Sequence, residues 1–171
     1  ILDHLNRAMD YLLTNRDAQT GCVYALYGDW NDALDGLGLT DDPEKEFGNG
    51  VSVMATLQVR QNTQEMIEIL SAVNKPAYTD RIQELQNATM ELDTALKKWA
   101  VVRSTEEDEL RIVHGWGDKR SYIVGGFHDP DGVPRDGLTA SAYWINSAVY
   151  DNDPSIQPHI LQAFHRLDSK Y

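Results

Sequence analysis

The sequence predicts an all-α fold built from helical hairpins, and two observations favour this class. Apolar residues recur at three- and four-residue intervals along several stretches of the 171-residue chain, which is the period of an amphipathic helix. Five predicted helices are joined alternately by short and long connections, the order expected for packed α-hairpins. An apolar content of 42% is enough to bury the core of one domain.

The first three helices have the clearest pattern. The first should span roughly residues 1–17 and end near Gly21, since glycine commonly follows a helix. The second should run from about Val51 to Val73, where Asn74-Lys75-Pro76 breaks it. Because few residues separate the second and third helices, they should form an antiparallel hairpin. The apolar faces are Leu2, Leu5, Met9 and Leu12 in the first helix, Met54, Leu57, Ile67, Leu70 and Val73 in the second, and Ile82, Leu85, Thr89, Leu92, Leu96 and Trp99 in the third.

The last third of the chain is less regular. STEEDELR, residues 104–111, is predicted to be a solvated charge run, and SYIVGGF, residues 121–127, a strand or a straight connector. A fourth helix should run from about Thr139 to Tyr150. The fifth should begin at Asp153-Pro154, since aspartate caps helices and proline suits the first helical position.

Composition limits the partners and the compartment. The net charge is −12, with no basic cluster, so nucleic acids and anionic membranes are not expected partners. No apolar run approaches the roughly 20 residues that span a bilayer, and the first residues do not resemble a signal peptide. Cys22 is the only cysteine, which excludes an intrachain disulfide and favours a reducing compartment. We therefore expect a cytoplasmic protein.

The candidate functional segment is the long loop between the first two helices. YGDWNDALDGLG, residues 27–38, contains three evenly spaced acids and is interrupted by glycines. A carboxylic acid with a raised pKa can protonate a departing sugar oxygen, a tryptophan offers a flat apolar face to a sugar ring, and an asparagine amide can bind hydroxyls. The segment therefore suits a carbohydrate site. The same residues are also common in turns, helix caps and cores, and this structural alternative stays open. The three acids are Asp29, Asp32 and Asp35.

No metal site is predicted. A calcium loop starting at Asp29 would need an oxygen ligand, a glycine and a glutamate where the chain has Ala33, Leu34 and Thr40. No two of the histidines have the i, i+4 spacing of a helical zinc site. The histidines are His4, His114, His128, His159 and His165.

Several other side chains have two interpretations. Trp116, between two glycines, could stack on a sugar or pack in the core, whereas Trp144 is expected in the core. Arg120 and Arg135 could bind a phosphate or a sugar hydroxyl, and surface ion pairs are the favoured interpretation for both. Ser141 lacks a nucleophile-elbow pattern, so a helix cap or a substrate hydrogen bond is expected there.

The motif resembles a known family. GDWNDALD, residues 28–35, is similar to the GDWNDG signature of the glycoside hydrolase family 94 phosphorylases, which include cellobiose, chitobiose and 1,2-β-oligoglucan phosphorylases. Two later segments, RSYIVGGFHDPDG at 120–132 and SAYW at 141–144, resemble the order found in that family. The resemblance covers most of the chain. It implies that residues 1–171 are part of an (α/α)6 toroid catalytic domain, truncated at both ends.

The resemblance also implies a reaction and roles for residues. Asp32 would be the general acid, and Asp29, Trp30 and Asn31 would line the sugar site. The reaction would be inverting phosphorolysis of β-linked gluco-oligosaccharides to an α-sugar 1-phosphate, with inorganic phosphate as co-substrate and no cofactor. The implied partners are a β-glucan oligosaccharide, phosphate and the remainder of the catalytic domain, and members of the family commonly form homodimers. The fragment alone would be inactive.

The chain departs from the family pattern at Ala33, where the signature has glycine. The family's phosphate-binding arginine, histidine and threonine-glycine elements would lie outside these residues. Two alternatives follow: an inverting hydrolase on a similar toroid, which would need a second carboxylate about 6.5–9.5 Å away to activate water, and a noncatalytic carbohydrate-binding or helical interaction module.

Overall fold

The structure is a computed structural model that describes residues 1–24, 51–103, 110–112, 115–116, 123–124, 149, 153–158, 161–162 and 165. This part of the chain is mostly helical, as predicted. Helix α1 spans Leu2–Thr14, α2 spans Val53–Val73 and α3 spans Thr79–Trp99. A single 3-10 turn, Pro76–Tyr78, connects α2 to α3. None of the helices described here is both long and apolar enough to cross a membrane.

Helix α1 ends earlier than the predicted residue 17. Three donors converge on the carbonyl oxygen of Tyr11: the hydroxyl of Thr14 at 3.0 Å, the side-chain amide of Asn15 at 2.7 Å and the Asn15 backbone N–H at 3.1 Å. Side chains that bind the last carbonyl groups compete with further helical turns. The chain leaves the helix at Asn15 and pairs with residues further along, with Arg16 opposite Val23.

The predicted boundaries of α2 are close to those observed. The Ser52 side chain accepts a hydrogen bond from the Ala55 N–H at 3.1 Å, which caps the first turn. At the other end, Asn74 adopts a left-handed conformation with φ of 49° and donates to the carbonyl groups of Leu70 and Ser71. Pro76 then opens the 3-10 turn. The predicted break after residue 73 is confirmed.

Helices α2 and α3 form the predicted antiparallel hairpin. Contacts run in opposite chain directions, from the Arg60–Asp93 ion pair through the Thr63–Thr89 hydrogen bond of 2.8 Å to the packing of Leu70 with Leu85. Helix α1 packs against the hairpin through its only buried residue, Met9. Three leucines of α3 are wholly buried, as their spacing predicted: Leu85, Leu92 and Leu96.

The exposure of some residues differs from their predicted positions. Leu5 of α1 is 39% exposed and Val73 of α2 is 36% exposed, although both were assigned to apolar faces. Conversely, the first part of α2 buries polar side chains. The hydroxyl of Thr56 donates to the Ser52 carbonyl at 2.6 Å and accepts from the Val23 N–H at 3.0 Å. These groups are buried because each has a partner.

Short strands accompany the helices, which still make up most of the described residues, in agreement with the all-α prediction. Strands β1 (Val51–Ser52), β4 (Gly115–Trp116) and β5 (Ile123–Val124) form an antiparallel sheet in the order β1-β4-β5. Strands β2 (Val101–Arg103) and β3 (Leu110–Ile112) form a separate antiparallel pair. Residues 110 and 111 of the predicted solvated charge run are in β3, and residues 104–109 lie outside the described ranges. A strand within 121–127, one of the two predicted alternatives, is confirmed.

The last predicted helix starts later than Asp153-Pro154, because residues 154–156 form a turn and the helical residues begin at 157. The Asp153 carboxylate accepts a hydrogen bond from the Ser155 N–H at 3.1 Å, and its carbonyl accepts from the Gln157 N–H at 3.1 Å. The Ser155 hydroxyl also donates to this carboxylate and lowers the pKa of Asp153. Residues 157–158, 161–162 and 165 are helical. The predicted fourth helix lies outside the described residues except for Val149, which is buried in a turn.

Candidate functional site

The predicted site residues lie outside the described residues. This applies to Asp29, Trp30, Asn31 and Asp32, and also to Asp35. The structure does describe the two places where the segment that contains them, residues 25–50, leaves and rejoins the helices. We call these two places, residues 15–24 and 51–52, the loop stem.

The two sides of the loop stem are hydrogen-bonded to each other. Tyr24 pairs with Val51 in an antiparallel bridge, and the Ser52 N–H donates to the Val23 carbonyl at 2.9 Å. The 26 residues between them therefore start and finish at neighbouring positions. Closing a loop of this length costs entropy that grows only slowly with length, and the stem contacts offset part of that cost.

The first side of the stem is itself a small hairpin. The Tyr24 N–H donates to the Asn15 carbonyl at 3.1 Å, and the Asp17 N–H donates to the Cys22 carbonyl at 2.8 Å. The turn closes through the Gly21 N–H, which donates to the Asp17 carbonyl at 2.8 Å. Gly21 has a φ of +73°, a conformation that glycine adopts at little cost. A sequence pattern could have predicted this turn, since Asp and Thr precede a glycine in DAQTG.

A buried carboxylate holds this turn together. Asp17 is only 6% exposed, and one of its oxygens accepts hydrogen bonds from the N–H and the hydroxyl of Thr20, at 2.7 and 2.8 Å. Its other oxygen accepts from the Tyr24 hydroxyl at 3.3 Å. The carboxylate thus connects the turn to the last stem residue before the candidate loop. Sequence reasoning did not identify Asp17 as a residue of interest.

Cys22 lies where the stem contacts α3. Its side chain is wholly buried in a cluster with Val51 and Ala95, against which Tyr24 and Trp99 also pack. Burial raises the pKa of the Cys22 thiol to about 11, although hydrogen bonds with the side chains of Thr20 and Thr56 lower it. The reactive thiolate form is therefore scarce at neutral pH, and a nucleophilic role is not favoured.

The sheet places a second aromatic position beside the stem. Val51 pairs with Tyr24 on one side and with Trp116 on the other, and Trp116 pairs with Ile123. The four backbone positions form one row across the sheet. Trp116 is one of the residues that the sequence offered as a sugar-stacking side chain, and the sheet brings its backbone next to the loop stem. No local pattern predicts this pairing, because 65 residues separate Val51 from Trp116.

Two surface grooves lie elsewhere on the hairpin. One, of about 540 Å³, is lined by residues that include Leu70, Lys75 and Ile82 at the α2–α3 turn. The other, of about 520 Å³, is lined by residues that include Gln64 and Met90. Since α2 has 21 residues, and a helix rises about 1.5 Å per residue, the first groove is almost a full helix length from the stem. Neither groove contains a residue predicted to act on a substrate.

Within the ranges that the structure describes, no group of three or more His, Cys, Asp or Glu side chains could hold a metal ion. Comparison of the chain with models of protein families, with curated proteins and with solved structures found no match.

Proposed function

We propose that this chain is part of an inverting phosphorylase of β-linked gluco-oligosaccharides, with Asp32 as the general acid. The observation that carries the proposal is the GDWNDALD motif, residues 28–35, which combines a candidate acid with a stacking ring and an amide. The motif belongs to a segment whose two ends are hydrogen-bonded to each other at the loop stem. A fixed base is compatible with a loop that must hold a catalytic group in one position.

The proposed reaction needs one catalytic carboxylic acid. Asp32 donates its proton to the glycosidic oxygen as the bond between that oxygen and the anomeric carbon breaks. A phosphate oxygen attacks the anomeric carbon from the opposite face, which inverts its configuration and gives an α-sugar 1-phosphate. Phosphate is already an anionic nucleophile, so the second carboxylate that an inverting hydrolase uses to activate water is not required. Trp30 would stack on the sugar, with Asp29 and Asn31 at its hydroxyls.

The proposed domain is an (α/α)6 toroid, of which the α2–α3 pair would be one hairpin. The pair is antiparallel, and exposed apolar side chains remain on it: Ile69 is 41% exposed and Met90 is 59% exposed. Neighbouring hairpins of the same catalytic domain, or a second copy in a homodimer, would cover such side chains. The proposal also places the enzyme in the cytoplasm, where a reduced, buried Cys22 would be stable.

Product analysis of the full-length protein tests the reaction. β-Gluco-oligosaccharides of different linkages are incubated with and without inorganic phosphate, and the products are identified by ³¹P NMR and chromatography. The proposal expects α-glucose 1-phosphate that forms only when phosphate is present. Free sugar formed equally without phosphate would instead indicate the hydrolase, and binding of the oligosaccharides without turnover would indicate the noncatalytic module.

Substitution of the proposed acid tests its role. Asp32→Asn should lower kcat by about 10²–10⁴-fold, the range for loss of general acid catalysis, while oligosaccharide binding measured by calorimetry is retained. Asp35→Asn is the matched control, because Asp35 is assigned to a turn or cap three positions away. Near-normal turnover by Asp32→Asn would remove Asp32 from the proposed role.

A further inference from the structure

We infer that Asp17 and Tyr24 are positioning residues for the loop that carries Asp32. The inference rests on the proposed function. It assigns to the loop stem, which lies outside the motif, the role of positioning the loop. Neither residue needs to touch the substrate. Their contact fixes the direction in which the chain enters residues 25–50.

Asp17 is placed to act as a rigid anchor. Its carboxylate is almost wholly buried, and burying such a group is costly unless hydrogen bonds compensate it. Thr20 supplies two of these bonds to one oxygen, at 2.7 and 2.8 Å. The backbone of Asp17 is also held at both ends, since its N–H donates to Cys22 and its carbonyl accepts from Gly21. The remaining oxygen faces the Tyr24 hydroxyl.

Tyr24 is held from several directions at the point where the candidate loop begins. Its N–H donates to Asn15, its backbone pairs with Val51, and its ring packs against the cluster of Cys22, Val51 and Ala95. These contacts fix the backbone and the ring plane. The hydroxyl bond to Asp17, at 3.3 Å, adds a tie to the preceding turn. Tyr24 is the last described residue before the motif, and it precedes Asp29 by five positions.

An experiment can distinguish a positioning role of the Asp17–Tyr24 contact from a role in stability alone. Tyr24→Phe keeps the ring and removes only the hydroxyl, so the apolar cluster is preserved. A positioning role predicts that kcat of the full-length enzyme falls while KM and the melting temperature change little. Misplacement of a catalytic group by about 1 Å can cost up to about 100-fold, and we expect a loss of about tenfold. Tyr11→Phe is the matched control, since Tyr11 is 59% exposed on α1 and should leave kcat unchanged.

Two further measurements keep the inference falsifiable. If Asp17 and Tyr24 act through their shared hydrogen bond, the effects of the two substitutions should not add. The double variant Asp17→Ala, Tyr24→Phe should then have the same kcat as Asp17→Ala alone. Amide hydrogen exchange should accelerate in peptides covering residues 25–35 of Tyr24→Phe, but not in peptides of α3. Exchange that matches the wild-type protein would overturn the inference even if the Asp17→Ala variant failed to fold.

The outcomes separate this inference from the proposed function. An inactive Asp32→Asn enzyme together with a fully active Tyr24→Phe enzyme would overturn the positioning role and leave the phosphorylase proposal standing. Near-normal turnover by Asp32→Asn would overturn the proposed function, and with it the catalytic part of this inference. A tenfold lower kcat in Tyr24→Phe with unchanged KM and faster exchange at 25–35 supports both.

Discussion

The α2–α3 hairpin and the loop stem are built from different interactions. The hairpin combines an ion pair and a hydrogen bond with apolar packing along two 21-residue helices, and Leu85, Leu92 and Leu96 of α3 are wholly buried. The stem relies on single polar groups, among which one carboxylate accepts bonds from Thr20 and Tyr24. Loss of an apolar contact removes stability in proportion to the buried volume, and loss of a hydrogen bond to the buried Asp17 carboxylate also costs stability. We expect the hairpin to contribute most of the stability, and the proposed additional role of the stem is to direct the loop.

The two regions meet at one small cluster. Cys22 and Val51 of the stem pack against Ala95 of α3, and Gly21 is close enough that an added Cβ would lie 3.3 Å from the Ala95 Cβ. Substitutions within the hairpin should therefore affect mainly stability, and those in the stem mainly activity. Substitutions in the cluster should affect both.

The largest effect on stability is expected inside the hairpin. Leu85 is wholly buried and packs with Met9, Met66 and Leu70. Leu85→Ala should lower the free energy of unfolding by about 2–5 kcal/mol through lost burial and a residual cavity, measured by urea denaturation. The kcat of the remaining folded enzyme should stay the same. Gln86→Ala, at the next position of α3, which is polar and exposed, is the control and should change stability by less than about 0.5 kcal/mol. A lower kcat at temperatures where Leu85→Ala is fully folded would contradict the claim that the hairpin affects mainly stability.

An intermediate effect is expected at the cluster, and it depends on pH. The pKa of Cys22 is raised from 9.0 to about 11 mainly by burial, so the folded state keeps its proton where the unfolded chain loses it. The stability that the protonated thiol contributes to the folded state is fully present below pH 9 and is lost as pH rises towards 11. At about 1.4 kcal/mol per pKa unit, the loss is about 2–3 kcal/mol.

Cys22→Ala isolates the titration of the thiol. Contributions from all other groups cancel when the variant and the wild-type protein are compared at each pH. The stability advantage of the wild-type protein, measured by urea denaturation from pH 8 to pH 11, should shrink as pH rises. A difference that stays constant with pH would show that the thiol is not buried in the cluster.

The same division explains what could be predicted from the sequence. Helix α3 was predicted closely because Leu85, Leu92 and Leu96 fall at helical spacing, and the period is a local property. The burial of Arg60 was not predicted, since it depends on Asp93, which is 33 residues away. The pairing of Val51 with Trp116 is more distant still, and two-residue strands have too few positions to show an alternating pattern. The candidate site stays a prediction from its motif alone, whereas the hydrogen bonds of Asp17 to Thr20 and Tyr24 could be seen only in the structure.

The smallest effect on stability, but the sharpest test of the stem, is expected at Gly21. An alanine there meets two costs: a φ of +73° that disfavours any side chain, and a Cβ that must displace Ala95. Together these should lower the free energy of unfolding by about 1–2 kcal/mol. The two costs separate in a double-mutant cycle, because Ala95→Gly removes the contact and leaves the backbone cost. If Gly21→Ala costs less stability and less kcat in an Ala95→Gly background than in the wild-type protein, the distance between the stem and α3 matters for catalysis. If Gly21→Ala loses stability but keeps full activity, the turn stabilises the fold without directing the loop. The proposed division of roles between the hairpin and the stem would then be wrong at Gly21.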